Sequence, residues 1–485
     1  MHWKTIKPHS ILLLITAIAL FFRLYKLEAF YIFEHDQDLY SWIVKDILID
    51  HNFRLIGQMT SIDGFFIGPL YYYLLIPFYF LSAMNPLSAT FFALAVSVLT
   101  SISIFYVFSK IFNQKVGIIG SFIYASSLSI AFIDRWVVPT QPIVLWSVWF
   151  LFCLMKLINK DYKVLPIMGI LVGLIWHIHI ALWPLVILVP LAMLPITSKK
   201  PKLESIILFG IPFLLLTTPF WLFEIRHDFG QIKSLLNFYE NSVSGEKTGL
   251  LRFREVIDGT SAAFSKIIFF RKDVPSLLAL PIFYLTGLAL LILKAIKIKQ
   301  LILIILWTFL LIAVQQFSTR SISDYYFNSL IIIGILIISL SLSWLLQTRN
   351  LKFLAQVFMV VFLIGNLWTL FKIKPIEGYD QKKQIVSFIK SDSTDKNFRC
   401  LGINFIADFT KVAGYRYLWW YFDLNIVRAS EQVPVYNVAL PKSLVAKYDF
   451  TIGEFAVISP AQKNYDEEVC DNPNNKLPGL VGFTN

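Results

Sequence analysis

Long apolar runs separated by short basic segments occupy most of this 485-residue chain. A helix of roughly 17 to 25 residues crosses the hydrocarbon core of a bilayer, and about eleven runs fall near this length. We therefore predict a mainly α protein, a polytopic bundle of about eleven transmembrane helices. The runs lie at residues 11–27, 87–109, 116–133, 141–158, 164–181, 182–197, 203–222, 278–296, 300–317, 324–346 and 352–371.

Composition excludes a soluble globular protein. The chain is 57% hydrophobic and 15% charged, whereas soluble domains are roughly a quarter charged. The formal net charge of +12 lies in short loops between apolar runs, which is typical of membrane topology. We therefore expect the membrane as a partner and no nucleic acid.

The apolar segment 65–81, which contains Pro77, decides the topology. If it crossed the membrane fully, the clusters at Lys199/Lys200 and Lys294/Lys297 would lie outside. The positive-inside rule therefore favours partial insertion or an interfacial position. This predicts a multi-pass plasma (inner) membrane protein with an uncleaved first span and a cytoplasmic N-terminus. Its main outer loops are 28–86, which carries interfacial helices, and 223–276.

Residues 373–485 change character, with more charge and with short alternating runs at 435–440 and 455–458. They predict a small extracytoplasmic α/β domain after a transmembrane module of residues 1–372. An amphipathic helix over 381–390 leads into this domain. Cys400 and Cys470 both lie in it, and export would permit a disulfide between them.

The first outer loop opens with carboxylates beside aromatic residues, in Phe33-Glu34-His35-Asp36-Gln37-Asp38. A carboxylate at the edge of a low-dielectric region has a raised pKa, which suits a general base. Asp36 and Asp38 are therefore candidate catalytic residues. The alternative is that Asp36 only caps an interfacial helix that runs to about residue 50.

Further candidates lie at the ends of later spans. Asp134 and Arg135 provide either a second acid with a phosphate-binding cation or a simple surface pair. His177 and His179 are two positions apart, a poor spacing for a shared metal on a helix, and we favour His177 as the functional residue. Arg226, His227 and Arg320, the last just before Tyr325, either surround an anionic lipid headgroup or anchor helix ends.

Two local motifs resemble those of the GT-C membrane glycosyltransferases, which include protein O-mannosyltransferases and the aminoarabinose transferase that acts on lipid A. Asp36-Gln37 stands where the family has Asp-Glu in its first loop, and Gly68-Pro69-Leu70-Tyr71-Tyr72 stands where it has Pro-Pro-Leu-Tyr. Gln37 and Gly68 depart from the usual pattern. The resemblance implies transfer of a sugar from a polyprenyl-phosphate donor to a lipid, glycan or protein acceptor on the outer side.

The resemblance also implies roles for individual residues. Asp36 would activate the acceptor hydroxyl, with Asp38 or Asp134 assisting, and direct displacement would invert the sugar. It implies no fixed cofactor and leaves open whether a divalent metal ion takes part in the reaction. The predicted donor and phosphate-binding residues are Arg135, His177, Arg226, His227, Arg320, Tyr325 and Tyr71.

Three other functions remain open from the sequence, one of them a structural or sensing membrane protein that uses the C-terminal tail as a binding module. A flippase or transporter of lipid-linked sugar would need charged or broken helices near the midplane, whereas here the ionisable residues concentrate at helix ends. An O-antigen ligase-like enzyme would use the long loop 223–276. No Walker loop, dinucleotide-binding glycine signature or Ser or Cys nucleophile motif is present, so ATP-driven transport is not expected.

Overall fold

The computed structural model describes residues 8–194, 201–241, 249–270, 278–318, 322–375, 377–408, 412–461 and 467–477. Helices dominate these ranges. The helices are α1 (Pro8–Leu24), α2 (Leu27–Phe30), α3 (His35–Leu48), α4 (Leu70–Leu81), α5 (Ala89–Ile111), α6 (Gln114–Ser126), α7 (Leu128–Arg135), α8 (Ile143–Leu157), α9 (Leu165–Ile178), α10 (Leu188–Met193), α11 (Leu203–Arg226), α12 (Gly230–Asn241), α13 (Gly249–Ile268), α14 (Ala279–Ile292), α15 (Ile298–Phe317), α16 (Leu330–Gln347), α17 (Lys352–Lys372), α18 (Tyr379–Asp395), α19 (Arg416–Tyr421) and α20 (Glu468–Asp471).

Every predicted span coincides with an apolar helix, but the helices differ in length. In the described ranges, five helices are long and apolar enough to cross a membrane: α5 with its preceding turn, α11, α15, α16 and α17. The bent pair α6–α7 makes a sixth, and the remaining predicted spans are apolar helices of 10 to 17 residues. The chain is thus an integral membrane protein, while the predicted count of eleven spans stays a prediction.

The α6–α7 span bends by 66° at Ser127. A bend inside an apolar bundle leaves backbone groups without their helical partners, and these need other partners. Asn366 of α17 accepts a hydrogen bond from the Leu128 amide at 2.8 Å. Arg23 of α1 donates to the carbonyls of Tyr124 and Ala125 at 3.2 and 3.0 Å. Helices α1 and α17 therefore hold the bend.

Helix α4 covers the segment expected to insert only partly. It has 12 residues and contains Pro77, fewer residues than a full crossing needs. Its side chains Tyr71, Tyr72 and Tyr79 are buried against α3 and α5. The segment is therefore a packed part of the protein rather than a separate anchor.

The predicted loop 223–276 contains two helices. Helix α13 packs against α14, α15 and α16, and its Val256, Phe264 and Ile267 are buried in the main apolar core. Part of this loop therefore belongs to the helix bundle.

The C-terminal region forms the predicted small α/β domain. Its strands are β1 (Leu401–Ala407), β2 (Ile426–Val427), β3 (Val435–Leu440), β4 (Phe450–Ile452) and β5 (Phe455–Ile458). They form one mixed sheet in the order β2-β1-β3-β5-β4, in which β1 is parallel to β2 and β3 while β5 is antiparallel to β3 and β4. Helix α18 includes the predicted amphipathic helix. We call the end of the bundle that contacts this domain the domain face.

Cys400 and Cys470 form a disulfide that spans 70 residues, so the bond that the sequence left open is present. It fastens α20 to the start of β1, and both cysteines are buried beside Val427 and Val433.

Replacing both cysteines by serine should lower the stability of the C-terminal domain by about 2–5 kcal/mol, because the unfolded chain gains freedom. Thermal unfolding of the full-length protein in detergent measures this. Reduced wild type serves as the control and should unfold like the variant. Equal melting of the variant and the oxidised wild type would contradict the expectation.

Candidate functional site

Asp36 lies in the first turn of α3 with its carboxylate unengaged. The N-cap position of α3 belongs to Glu34, so the alternative that Asp36 caps this helix is wrong. No hydrogen bond or ion pair from the described ranges reaches the Asp36 carboxylate, which is half-buried. Burial raises the pKa of Asp36 above its ordinary value, the Coulombic interaction with His35 opposes this rise, and that with Glu34 adds to it. An unpaired carboxylate with a raised pKa has the properties of a general base.

Tyrosines surround Asp36. Tyr71, Tyr72 and Tyr325 lie within electrostatic range of its carboxylate. The Tyr71 hydroxyl is buried and has no partner among the described residues, while its ring packs against Tyr40 at a centroid distance of 6.0 Å. The structure thus brings together Asp36, Tyr71 and Tyr325, three residues that the sequence singled out. A buried free hydroxyl beside a carboxylate suits the binding of a polar ligand.

Tyr325 joins Asp36 to two other parts of the chain. Its ring lies 6.3 Å from that of Trp136, after α7, and 5.2 Å from that of His179, after α9. Tyr326 also contacts His179, with 5.5 Å between ring centroids. The candidate site is therefore a cluster of loops on the domain face, with Asp36 as its unpaired carboxylate.

Asp38 faces the C-terminal domain. Its two carboxylate oxygens accept hydrogen bonds from the backbone amides of Arg416 and Tyr417 at 3.0 and 2.7 Å, at the start of α19. Burial raises the pKa of Asp38 to about 6 although both hydrogen bonds lower it. Nearby, the buried Lys382 of α18 donates to the carbonyl of Phe33 at 2.7 Å. Asp38 is thus engaged in joining the domain to α3.

Asp134 and Arg135 are occupied by contacts within the bundle. Asp134 pairs with Arg23 at 2.6 Å and accepts hydrogen bonds from Ser97 and Tyr124 at 3.0 and 2.7 Å. Arg135 donates to the carbonyls of Arg23 and Tyr25 at 3.0 and 2.9 Å. Both side chains are buried. They hold the end of α1 against α7, so the simple surface pair considered from the sequence is not what forms.

His177 holds α4 in place. Its Nε2 donates to the Leu216 carbonyl at 2.8 Å, which leaves Nδ1 to accept from the Leu70 amide at 3.3 Å. Gly68 lies against the imidazole, where any Cβ would collide with the ring. Glycine at this position, unlike the proline of the GT-C pattern, is therefore a consequence of the histidine beneath it. His177 uses both ring nitrogens for structure.

The predicted cations beyond α11 are placed only in part. Arg226 is exposed as the last residue of α11. His227 is also exposed. Its ring stacks on that of Phe223 with 3.9 Å between the ring centroids, and its Nδ1 forms a hydrogen bond with the Phe223 carbonyl. Arg320 lies outside the described residues. No group of three or more metal-ligating side chains occurs in the described ranges.

An apolar cavity of about 800 Å³ lies between α9, α11, α15 and the first loop. It reaches His179 and Tyr326, which border Tyr325, and Phe317 at its edge is 86% exposed. The cavity therefore extends from the His179–Tyr326 part of the candidate site to an exposed apolar side chain at the end of α15. Sequence reasoning missed it because its walls come from distant segments. They include Ile62, Phe65, Trp176, Trp183, Phe213, Thr217, Phe220 and Ala313.

Comparison with solved structures identifies the fold. ArnT from Cupriavidus metallidurans, in its crystal structure bound to undecaprenyl phosphate, gives a TM-score of 0.58 at 12% identity, over 94% of this chain and 99% of the ArnT chain. The apo structure of the same ArnT gives a TM-score of 0.59 at 12% identity, over 93% of this chain and 98% of the ArnT chain. The chain is thus an integral membrane protein with the GT-C fold that the two motifs predicted. No protein-family model matches the sequence, and no curated protein matches it.

Gly68→Ala should destabilise the protein by about 1–3 kcal/mol, because the new methyl displaces the His177 ring and breaks its two hydrogen bonds. Gly210→Ala on α11 is the matched control, since nothing lies within 4 Å of its Cβ position. Thermal unfolding in detergent compares them. The double variant Gly68→Ala/His177→Ala should be less destabilised than the two single changes together, because the ring that the new methyl displaces is absent. If Gly68→Ala unfolds at the same temperature as wild type, the close contact with His177 is refuted.

Proposed function

We propose that the protein is a glycosyltransferase that moves a sugar from a polyprenyl-phosphate donor to an acceptor hydroxyl. The observation that carries this proposal is an unpaired carboxylate, Asp36, linked through Tyr325 and the cavity-lining His179 to a large apolar cavity. A lipid-linked donor needs both features, because its chain must remain in an apolar environment while its phosphate and sugar meet polar groups.

The cavity supports a polyprenyl chain as the lipid part of the donor. Its lining is mainly aromatic and aliphatic, and each buried methylene of such a chain contributes about 0.8 kcal/mol. The fold is shared with ArnT, which has been crystallised with undecaprenyl phosphate. This agreement supports a polyprenyl phosphate as the donor lipid.

The end of α11 offers cations for the phosphate. Arg226 lies about 9 Å along the helix axis from the cavity-lining Phe220, at 1.5 Å per residue. His227 follows it, and Arg320 is two residues from the cavity-lining Ser318 in sequence. We assign charge neutralisation of the leaving phosphate to these residues.

Asp36 acts as the general base in this proposal. Its carboxylate takes the proton of the acceptor hydroxyl as the acceptor oxygen forms a bond to the anomeric carbon. The bond between that carbon and the phosphate oxygen breaks, and the polyprenyl phosphate leaves with the electron pair. Because the attack is a direct displacement, the anomeric configuration is inverted; a product with retained configuration would refute this step.

We place the reaction on the extracytoplasmic side. The domain face carries the candidate site and the disulfide-bonded domain, and disulfides persist in oxidising compartments. The opposite helix ends carry Lys110, Lys156 and Lys297, as the positive-inside rule expects for a cytoplasmic face. The acceptor is then a lipid, glycan or protein of the cell envelope.

Asp36→Asn should reduce donor consumption at least about 100-fold, because the amide keeps the shape and cannot take a proton. Purified protein incubated with radiolabelled polyprenyl-phosphate sugars measures this. Asp50→Asn, at the far end of the same segment and paired with Lys45, is the control and should retain activity. Wild-type activity should rise with pH through a pKa above the ordinary value of about 4, since the ionised form of Asp36 is the base.

An Asp36→Asn variant as active as wild type would remove Asp36 from the mechanism. Movement of labelled lipid across vesicles without donor consumption would instead favour a transporter.

Ala313→Trp should raise the KM for a long polyprenyl donor about tenfold, because the indole fills part of the cavity while Asp36 is untouched. The KM for a two-isoprene analogue should change less, since its chain is short. Ile302→Trp is the control, on the same helix with a side chain that is 47% exposed. Equal KM changes for the two chain lengths would place the lipid elsewhere.

A further inference from the structure

The buried amide of Gln37 connects two loops of the candidate site. Its side chain is 1% exposed. Its Oε1 accepts a hydrogen bond from the Glu34 amide at 3.1 Å, and its Nε2 donates to the Val137 carbonyl at 3.0 Å. Gln37 thus links the first turn of α3 to the turn that follows α7.

The polarity of the two partners requires a side chain that accepts one hydrogen bond and donates another. The Glu34 N–H can only donate, and the Val137 carbonyl can only accept. A glutamine satisfies both in one orientation of its side chain. An ionised glutamate would accept from Glu34 but would place a second acceptor against the Val137 oxygen, and a buried carboxylate facing a carbonyl is costly.

Gln37 connects chemistry-bearing groups. Asp36 precedes it in the same helical turn, and Trp136, whose ring contacts that of Tyr325, precedes Val137. A change in this link would therefore move the Asp36 carboxylate relative to the Trp136–Tyr325 side of the site. Small displacements of a reacting group can cost about 100-fold in rate.

We propose that Gln37 is a positioning residue that fixes Asp36 against the turn after α7. Its catalytic consequence rests on the proposed glycosyl transfer, whereas the link itself does not. The neutral amide also leaves Asp36 without a second ionised carboxylate at the next position in the chain.

Gln37→Glu tests this through pH. Protonated glutamate reproduces the amide, since its carbonyl accepts from Glu34 and its O–H donates to Val137. Burial against a carbonyl raises the pKa of the new carboxyl, so the link is present below that pKa and is lost as pH rises through it. Gln114→Glu, at an exposed position at the start of α6, is the matched control.

Hydrogen exchange of full-length protein, followed by mass spectrometry over residues 31–41 and 136–141, measures the link. In Gln37→Glu, both segments should exchange like wild type at pH 5.5 and at least about tenfold faster at pH 8, after correction for intrinsic rates. Gln37→Ala should exchange faster at both pH values. Unchanged exchange in Gln37→Glu at pH 8, together with wild-type exchange in Gln37→Ala, would overturn the link.

Donor consumption from the same polyprenyl-phosphate panel measures the positioning role. The activity of wild type and of Gln114→Glu should rise with pH. The activity of Gln37→Glu should rise and then fall. In that fall, kcat should decrease at least about tenfold while KM changes less. A Gln37→Glu profile parallel to wild type, together with wild-type kcat in Gln37→Ala, would overturn positioning. If wild type consumes no donor, the proposed function fails, and the exchange data alone still decide whether Gln37 fixes the Asp36 turn.

Discussion

The buried ion pair between Arg23 and Asp134 supports the bend on which the candidate site depends. Arg23 reaches Asp134 at 2.6 Å and also bonds the carbonyls of Tyr124 and Ala125 next to the bend. Neither charge is tolerated alone in an apolar interior, because an isolated buried charge costs several kcal/mol. Together they satisfy each other and the backbone that the bend exposes, so the break between α6 and α7 becomes stable.

The bend in turn determines where the site lies. It directs α7 so that Trp136 reaches Tyr325 and the Val137 carbonyl reaches Gln37. From the other side, the C-terminal domain holds α3 through Asp38 and Lys382, both buried. Asp36 lies between these two attachments and has no described partner of its own. Such fixed surroundings around one unpaired group are what preorganisation of a reactive site requires.

The sequence predicted local elements well where the pattern is local. Strands over 435–440 and 455–458 follow alternation, and they match β3 and β5 residue for residue. The basic clusters of later loops predicted that 65–81 inserts partly or lies at the interface, and α4 has the corresponding short length.

Residue roles were harder to predict. Asp36, Asp38 and Asp134 look alike in sequence, yet one is unpaired, one joins the domain to α3 and one lies in an ion pair. Arg135 and His177 carried the same expectation of donor binding as Tyr71, yet both are engaged by backbone groups. Their partners lie more than 30 residues away in the chain, beyond the range of any local pattern.

Sequence patterns predict the environment of the chain: an apolar bundle in a membrane, a basic face, an α/β domain at the C-terminus and a GT-C resemblance in two motifs. Hydrophobicity and charge act residue by residue, so composition and periodicity reveal them. The packed fold, in contrast, shows which of the three candidate carboxylates has no described partner, why Gly68 must lack a side chain and where the apolar cavity lies. Hydrogen-bond pairing and cavity shape depend on which distant segments meet, and packing alone specifies that.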